Sequence, residues 1–142
     1  MNVQEMMRAH PRTGRGISNP LVECIERCFS CAQTCTACAD GCLAEDTIDK
    51  LRRCVRLDLD CADICATTGG VASRRTESSE QVLLQLLDLC ANACQLCAEE
   101  CEQHASHHQH CKICAAECRR CQESCRRAMQ DVGGASGRVQ AN

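Results

Sequence analysis

The sequence predicts an all-α protein: an antiparallel up-down-up-down four-helix bundle with a cysteine-lined core, plus a short N-terminal segment. Three observations predict it. Cysteines recur at helical spacing, three and four residues apart, along four separate stretches. Short polar connections join these stretches, which makes neighbouring helices antiparallel. The alternation of a half-buried strand is absent from the pattern.

Residues 1–18 read as a leader segment able to form a short helix. Met1, Met6, Met7 and His10 are soft-donor candidates there, although Met6 and Met7 suit packing better. Pro11, Gly14 and Gly16 separate this segment from the bundle, expected over residues 19–131. Asn19 suits an N-cap and Pro20 a first helical position, and the first long helix runs to about Leu43. It carries Cys24, Cys28, Cys31, Cys35, Cys38 and Cys42, spaced four, three, four, three and four. At about 100° per residue all six fall within an arc of roughly 80°. Asp46 or Thr47 caps a second helix to about Thr67, with Gly69 and Gly70 as its end. This helix presents Cys54, Cys61 and Cys65, and Asp58 stands where the seam between them lacks a sulfur. A third helix from about Glu77 to Gln103 carries Leu83, Leu84, Leu86, Leu87 and Leu89, then Cys90, Cys94, Cys97 and Cys101. A turn through Ala105 and Ser106 leads to the fourth, from about His107 to Asp131, with Cys111, Cys114, Cys118, Cys121 and Cys125. Residues 132–142 read as a flexible tail.

Composition narrows the chemistry. The chain has 142 residues, enough for one domain, with 18 cysteines, one Phe, no Trp and no Tyr. Such cysteine density usually marks a secreted disulfide scaffold. Met1 to Gly16 is polar, however, and has no apolar signal-peptide core. No run reads as long and apolar enough to span a membrane. The expectation is a cytoplasmic protein with reduced thiols, in which dense cysteine signals metal or redox chemistry. A net charge of −3 without a basic run speaks against nucleic-acid partners. No Ser/His/Asp constellation or paired carboxylate in a cleft marks an enzyme.

Four inward seams would line one lumen with thiols. Structural zinc wants closed sets of four ligands, usually carried on loops. Iron–sulfur signatures are loop-borne and followed by proline. Thioredoxin-like chemistry needs one Cys-x-x-Cys in a βαβ setting. Cu(I) fits best: it is soft and prefers thiolate. Cysteines at i,i+3 and i,i+4 start about 5–6 Å apart at Cβ, too far for an unstrained disulfide at about 3.8 Å. Bridging thiolates would make the row a store of several Cu(I) ions per chain. The alternative is metallothionein-like sequestration of zinc, cadmium or silver.

On these seams the chain resembles the bacterial four-helix-bundle copper storage proteins, in particular their cytosolic branch. The resemblance spans about residues 20–131. It rests on the seams, on Cys-Ala-Gln-Thr-Cys-Thr-Ala-Cys-Ala beginning at Cys31, and on Cys-x-x-Cys-Ala-x-x-Cys-x-x-Cys beginning at Cys111. It implies a homotetramer of bundles filled with Cu(I), and storage or buffering in place of catalysis. A copper chaperone is a candidate donor. Asp58 and the histidines near 104–110 also look like features of this branch.

The two ends of the lumen differ. The end after Cys42 and Cys101 gathers His104, His107, His108 and His110 and reads as a mouth. His104 and His108 sit three residues from a cysteine and are better placed to turn inward than His110, while His107 suits solvent. Leu21, Leu83, Leu87 and Met129 gather at the other end as an apolar plug.

Overall fold

The computed structural model describes the backbone of residues 1–14 and 16–141, and their side chains as far as Gly134. Arg15 and Asn142, the latter the last residue of the expected tail, lie outside the described residues. Five helices follow one another: α1 (Val3–Arg8), α2 (Asn19–Leu43), α3 (Ile48–Ser73), α4 (Glu80–His104) and α5 (Gln109–Ala141). No strand occurs among the described residues. The four long helices form the bundle: α2 packs on α3 and α5, and α4 packs on the same two. Short α2–α3, α3–α4 and α4–α5 turns force the up-down order.

Local chemistry explains most boundaries and corrects several expected ones. Ser18, not Asn19, caps α2: its Oγ accepts a hydrogen bond from the Leu21 N–H at 3.2 Å, and Pro20 sits in the first turn. Helix α3 does not stop at Gly69 and Gly70 but continues to Ser73. Gly69 serves packing instead. A Cβ there would lie 3.0 Å from Cζ of Phe29, so the missing side chain lets the ring of the chain's one Phe lie on the α3 backbone. Helix α4 starts at Glu80, not near Glu77, because Glu77 turns the chain with φ at 52°. Ser79 then caps it by accepting from the Val82 N–H. Helix α5 begins at Gln109, not near His107, and is helical past Asp131 to Ala141, through all but the last residue of the stretch expected as a tail.

By length and composition α4 is apolar enough to cross a membrane, which the sequence reading did not anticipate. Six leucines and four cysteines supply most of that hydropathy. Here the same residues serve a bundle: Leu83, Leu87, Cys90, Cys94, Cys97 and Cys101 are buried against the other helices.

Helix α1 packs on α2 and buries Met7, while Met6 stays exposed. His10 is engaged at both ring nitrogens: Nδ1 accepts from the Arg12 and Thr13 amides, and Nε2 meets Thr76 Oγ1 at 3.1 Å. The first segment is thereby tied to the α3–α4 turn at one end of the bundle. Leu21, Leu83 and Leu87 are buried at this end, and Met129 packs beside them.

Candidate metal centre

All 18 cysteines are free and buried. The helical period puts each set on one face, and the bundle turns the four faces toward one another, so no thiol reaches water. The sulfurs make a continuous chain of contacts. Near the apolar end Cys24 lies 3.7 Å from Cys125, and Cys28 lies 3.9 Å from Cys90. In the middle Cys65 is 3.6 Å from both Cys90 and Cys94, and Cys35 is 3.5 Å from Cys118. Toward the histidine end Cys54 is 3.6 Å from Cys101, and Cys38 is 4.0 Å from Cys111.

These sulfurs form tetrads that share members. Cys28, Cys90, Cys121 and Cys125 form one tetrad, and Cys31, Cys65, Cys94 and Cys121 another. Cys31 recurs with Cys35, Cys61 and Cys118, and the pair Cys35 and Cys118 recurs with Cys97 and Cys114. Cys38, Cys42, Cys54 and Cys111 close the row. Within each tetrad all four sulfurs lie within 4.8 Å of one another.

The network acts unevenly: hydrogen bonds with Cys125 and Cys28 bring Cys24 down to about 5, while other thiols hold their protons more tightly than a free thiol. Cys28 is pushed up by its hydrogen bonds with Cys121 and Cys125, and Cys35 by those with Cys114 and Cys118, with burial adding in both. Burial is the main cause that raises Cys42. A metal ion entering this core must therefore displace protons.

Asp58 faces the lumen from the missing seam position and is fully buried. Its Oδ1 accepts S–H bonds from Cys97 at 3.1 Å, Cys114 at 3.3 Å and Cys101 at 3.6 Å, and Oδ2 accepts from Cys54 at 3.8 Å. Burial is the main cause that pushes its pKa up to about 8.

The histidines separate into two kinds. His110, less expected to turn inward than His104 and His108, places Nδ1 3.4 Å from Cys38 Sγ and 3.6 Å from Cys111 Sγ. His104 pairs with Glu100 at 3.3 Å, and His108 with Glu45 at 3.3 Å. With Thr47, Lys50, Leu51 and His107 they line a depression of about 280 Å³. Sequence reasoning passed over Glu45 and Gly41, both of which touch His110. A lone glycine inside a strong helical pattern, three residues after Cys38, was the available signal.

Known proteins are similar to this chain in sequence and fold. A family model described as "copper storage protein" matches residues 17–130. A copper storage protein from Streptomyces lividans, loaded with 10 copper equivalents, is similar at 42% identity and TM-score 0.86, over 89% of this chain and 97% of that one. A cytosolic copper storage protein from the same organism, holding five coppers, is similar at 45% identity and TM-score 0.77, over 78% and 92%. The Cu(I)-bound copper storage protein BsCsp3 is similar at 40% identity and TM-score 0.65, over 72% and 92%.

Proposed function

The chain belongs to the copper storage protein family, and from that premise we propose that it stores and buffers many Cu(I) ions per chain as cargo bound by its core thiolates. The observation that carries the reading is the sharing of sulfurs between tetrads, with Cys121, Cys31, Cys35 and Cys118 each belonging to more than one. Isolated tetrahedral zinc sites need four thiolates each and would leave a buried double negative charge per site. Cu(I) accepts fewer ligands, and bridging lets one Cu(I) stand for each thiolate, so the positive charge of the ions offsets the negative charge of the sulfurs and a filled row is nearly neutral. We assign all 18 cysteines as ligands. His110 serves as a terminal donor beside Cys38 and Cys111, Asp58 as a hydrogen-bonding partner within the row, and His104 and His108 as outer relays. The role is storage and not catalysis.

The cytosolic description of the Streptomyces lividans relative supports the same compartment for this chain. Assembly into a homotetramer, with a copper chaperone as donor, completes the reading. The support for assembly is a stripe on the outer face of α4. Val82, Leu89 and Leu96 stand seven residues apart and are 47%, 49% and 49% exposed, with Leu86 and Ala93 between them. A heptad stripe of this kind suits a second copy of the same helix.

Anaerobic titration of the reduced protein with Cu(I), against a chromophoric chelator, tests the storage reading. Loading near one ion per cysteine, about 18 per chain, is expected. Saturation at four or fewer would overturn it, and equal uptake of Zn(II) under competition would favour divalent sequestration.

A further inference from the structure

We propose that Glu45 is a positioning residue for copper entry: its carboxylate, on the turn between α2 and α3, holds the His110 ring so that Nδ1 faces the thiols of Cys38 and Cys111. The inference rests on the storage reading above and names a residue that governs how the first ions pass into the row.

Four observations carry it. Glu45 Oε1 lies 3.1 Å from His110 Nε2, so the ring donates its Nε2–H to the carboxylate. That leaves the Nδ1 lone pair free toward sulfur, the tautomer a metal ligand needs. The three donors form a triangle with edges of 3.4, 3.6 and 4.0 Å. A point equidistant from its corners lies about 2.1 Å from each, within the roughly 2.0–2.3 Å that a d¹⁰ ion makes to imidazole and thiolate. Gly41 supplies the room: a Cβ there would come 3.1 Å from His110 Cγ and 3.2 Å from Cδ2. The ring therefore lies on bare helix backbone, gripped from the far side by Glu45. Finally, the same Oε1 meets His108 Nδ1 at 3.3 Å, and the two rings stack at 5.5 Å. One carboxylate thus orients the imidazole at the rim of the depression and the imidazole that touches the thiols.

Two properties of a carboxylate must be told apart, its hydrogen bond to His110 and its attraction for a cation. Glu45→Gln keeps an acceptor oxygen and removes the charge, whereas Glu45→Ala removes both. Gly41→Ala displaces the ring without touching Glu45, and alanine is the better helix former, so stability is not reduced at the source. The experiment follows anaerobic uptake of Cu(I), supplied as a chelator complex, by stopped-flow absorbance. It also records histidine ¹⁵N shifts of the metal-free protein. Loss of such an outer partner costs about tenfold or more in metal-site function. Glu45→Ala and Gly41→Ala should each slow the earliest uptake phase by about tenfold, with cysteine-bound copper at saturation unchanged. Glu45→Gln should recover most of the rate, and His110 should lose its fixed Nε2–H signature in Glu45→Ala but keep it in Glu45→Gln. A wild-type rate in Glu45→Ala would overturn the proposal, whatever Gly41→Ala does. So would a Glu45→Gln protein as slow as Glu45→Ala, which would show attraction of the cation in place of positioning. A wild-type capacity of four ions or fewer overturns the storage reading itself, a result separate from either.

Discussion

Asp58 stands in the register of a cysteine, four residues after Cys54 and three before Cys61, and is as buried as the thiols beside it. A carboxyl without solvent is tolerated because four S–H groups point at it and because it keeps its proton. Its folded pKa of about 8 lies above the roughly 3.9 of an unfolded chain. The folded protein thus holds this proton more tightly than the unfolded one. Its contribution to stability is full below about pH 4 and declines as pH rises toward about 8, where the folded carboxyl also ionises. Thermal denaturation of the reduced, metal-free chain should therefore show a midpoint that falls between pH 5 and about 8. Asp58→Asn, which keeps an acceptor for the same thiols, should flatten that fall. Equal slopes in the two proteins would mean that Asp58 ionises freely in the folded state.

At the scale of the element, α4 has two apolar faces with different duties. The inner one places Leu83 and Leu87 at the plugged end and four cysteines in the lumen. The outer one runs through Val82, Leu89 and Leu96, each about half exposed. Burying a leucine is worth about 1.5–3 kcal/mol, so covering these side chains between copies is a substantial driving force. Leu89→Lys combined with Leu96→Lys should reduce the mass measured by light scattering to that of one 15.5 kDa chain, with helicity retained. An assembly of unchanged mass would place the interface on another face. Helix α3 shows the complementary case, an apparent terminator used for contact. Gly69 is in mid-helix because Phe29 occupies the space of its side chain.

For the whole molecule, the fold should not depend on cargo. Protonated cysteine packs as a small hydrophobe, and the core joins the thiols to Ile25, Leu51, Leu83 and Leu87 without interruption. Cross-helix pairs brace the outside, among them the forked Arg119–Glu102 contact at 2.8 and 3.1 Å between α5 and α4. Zinc fingers lack such a core and unfold without metal. Far-UV circular dichroism of the reduced, metal-free protein should accordingly show a helical spectrum that changes little on loading with Cu(I). A coil spectrum that turns helical only with copper would contradict this account.

The sequence by itself determined the helices and the inward seams. Three-and-four spacing admits only one face of one kind of element, and eighteen cysteines on such faces cannot all be satisfied except around a shared lumen. It determined the polarity of that lumen too, since leucines and histidines collect at opposite turns once neighbours are antiparallel. Glycine was less legible. In the sequence Gly69 and Gly70 look like a helix end, because the reason for a missing side chain lies on another helix. The histidines were legible as a group but not one by one. Their spacing from Cys101 and Cys111 favoured His104 and His108, whereas the inward reach of His110 comes from Gly41 and Glu45, some seventy positions earlier in the chain. Only the tertiary structure decided which sulfurs share a tetrad and which imidazole meets them, because both depend on the axial stagger of four packed helices. Periodicity fixes the face a side chain takes, and packing alone sets the height at which two faces meet.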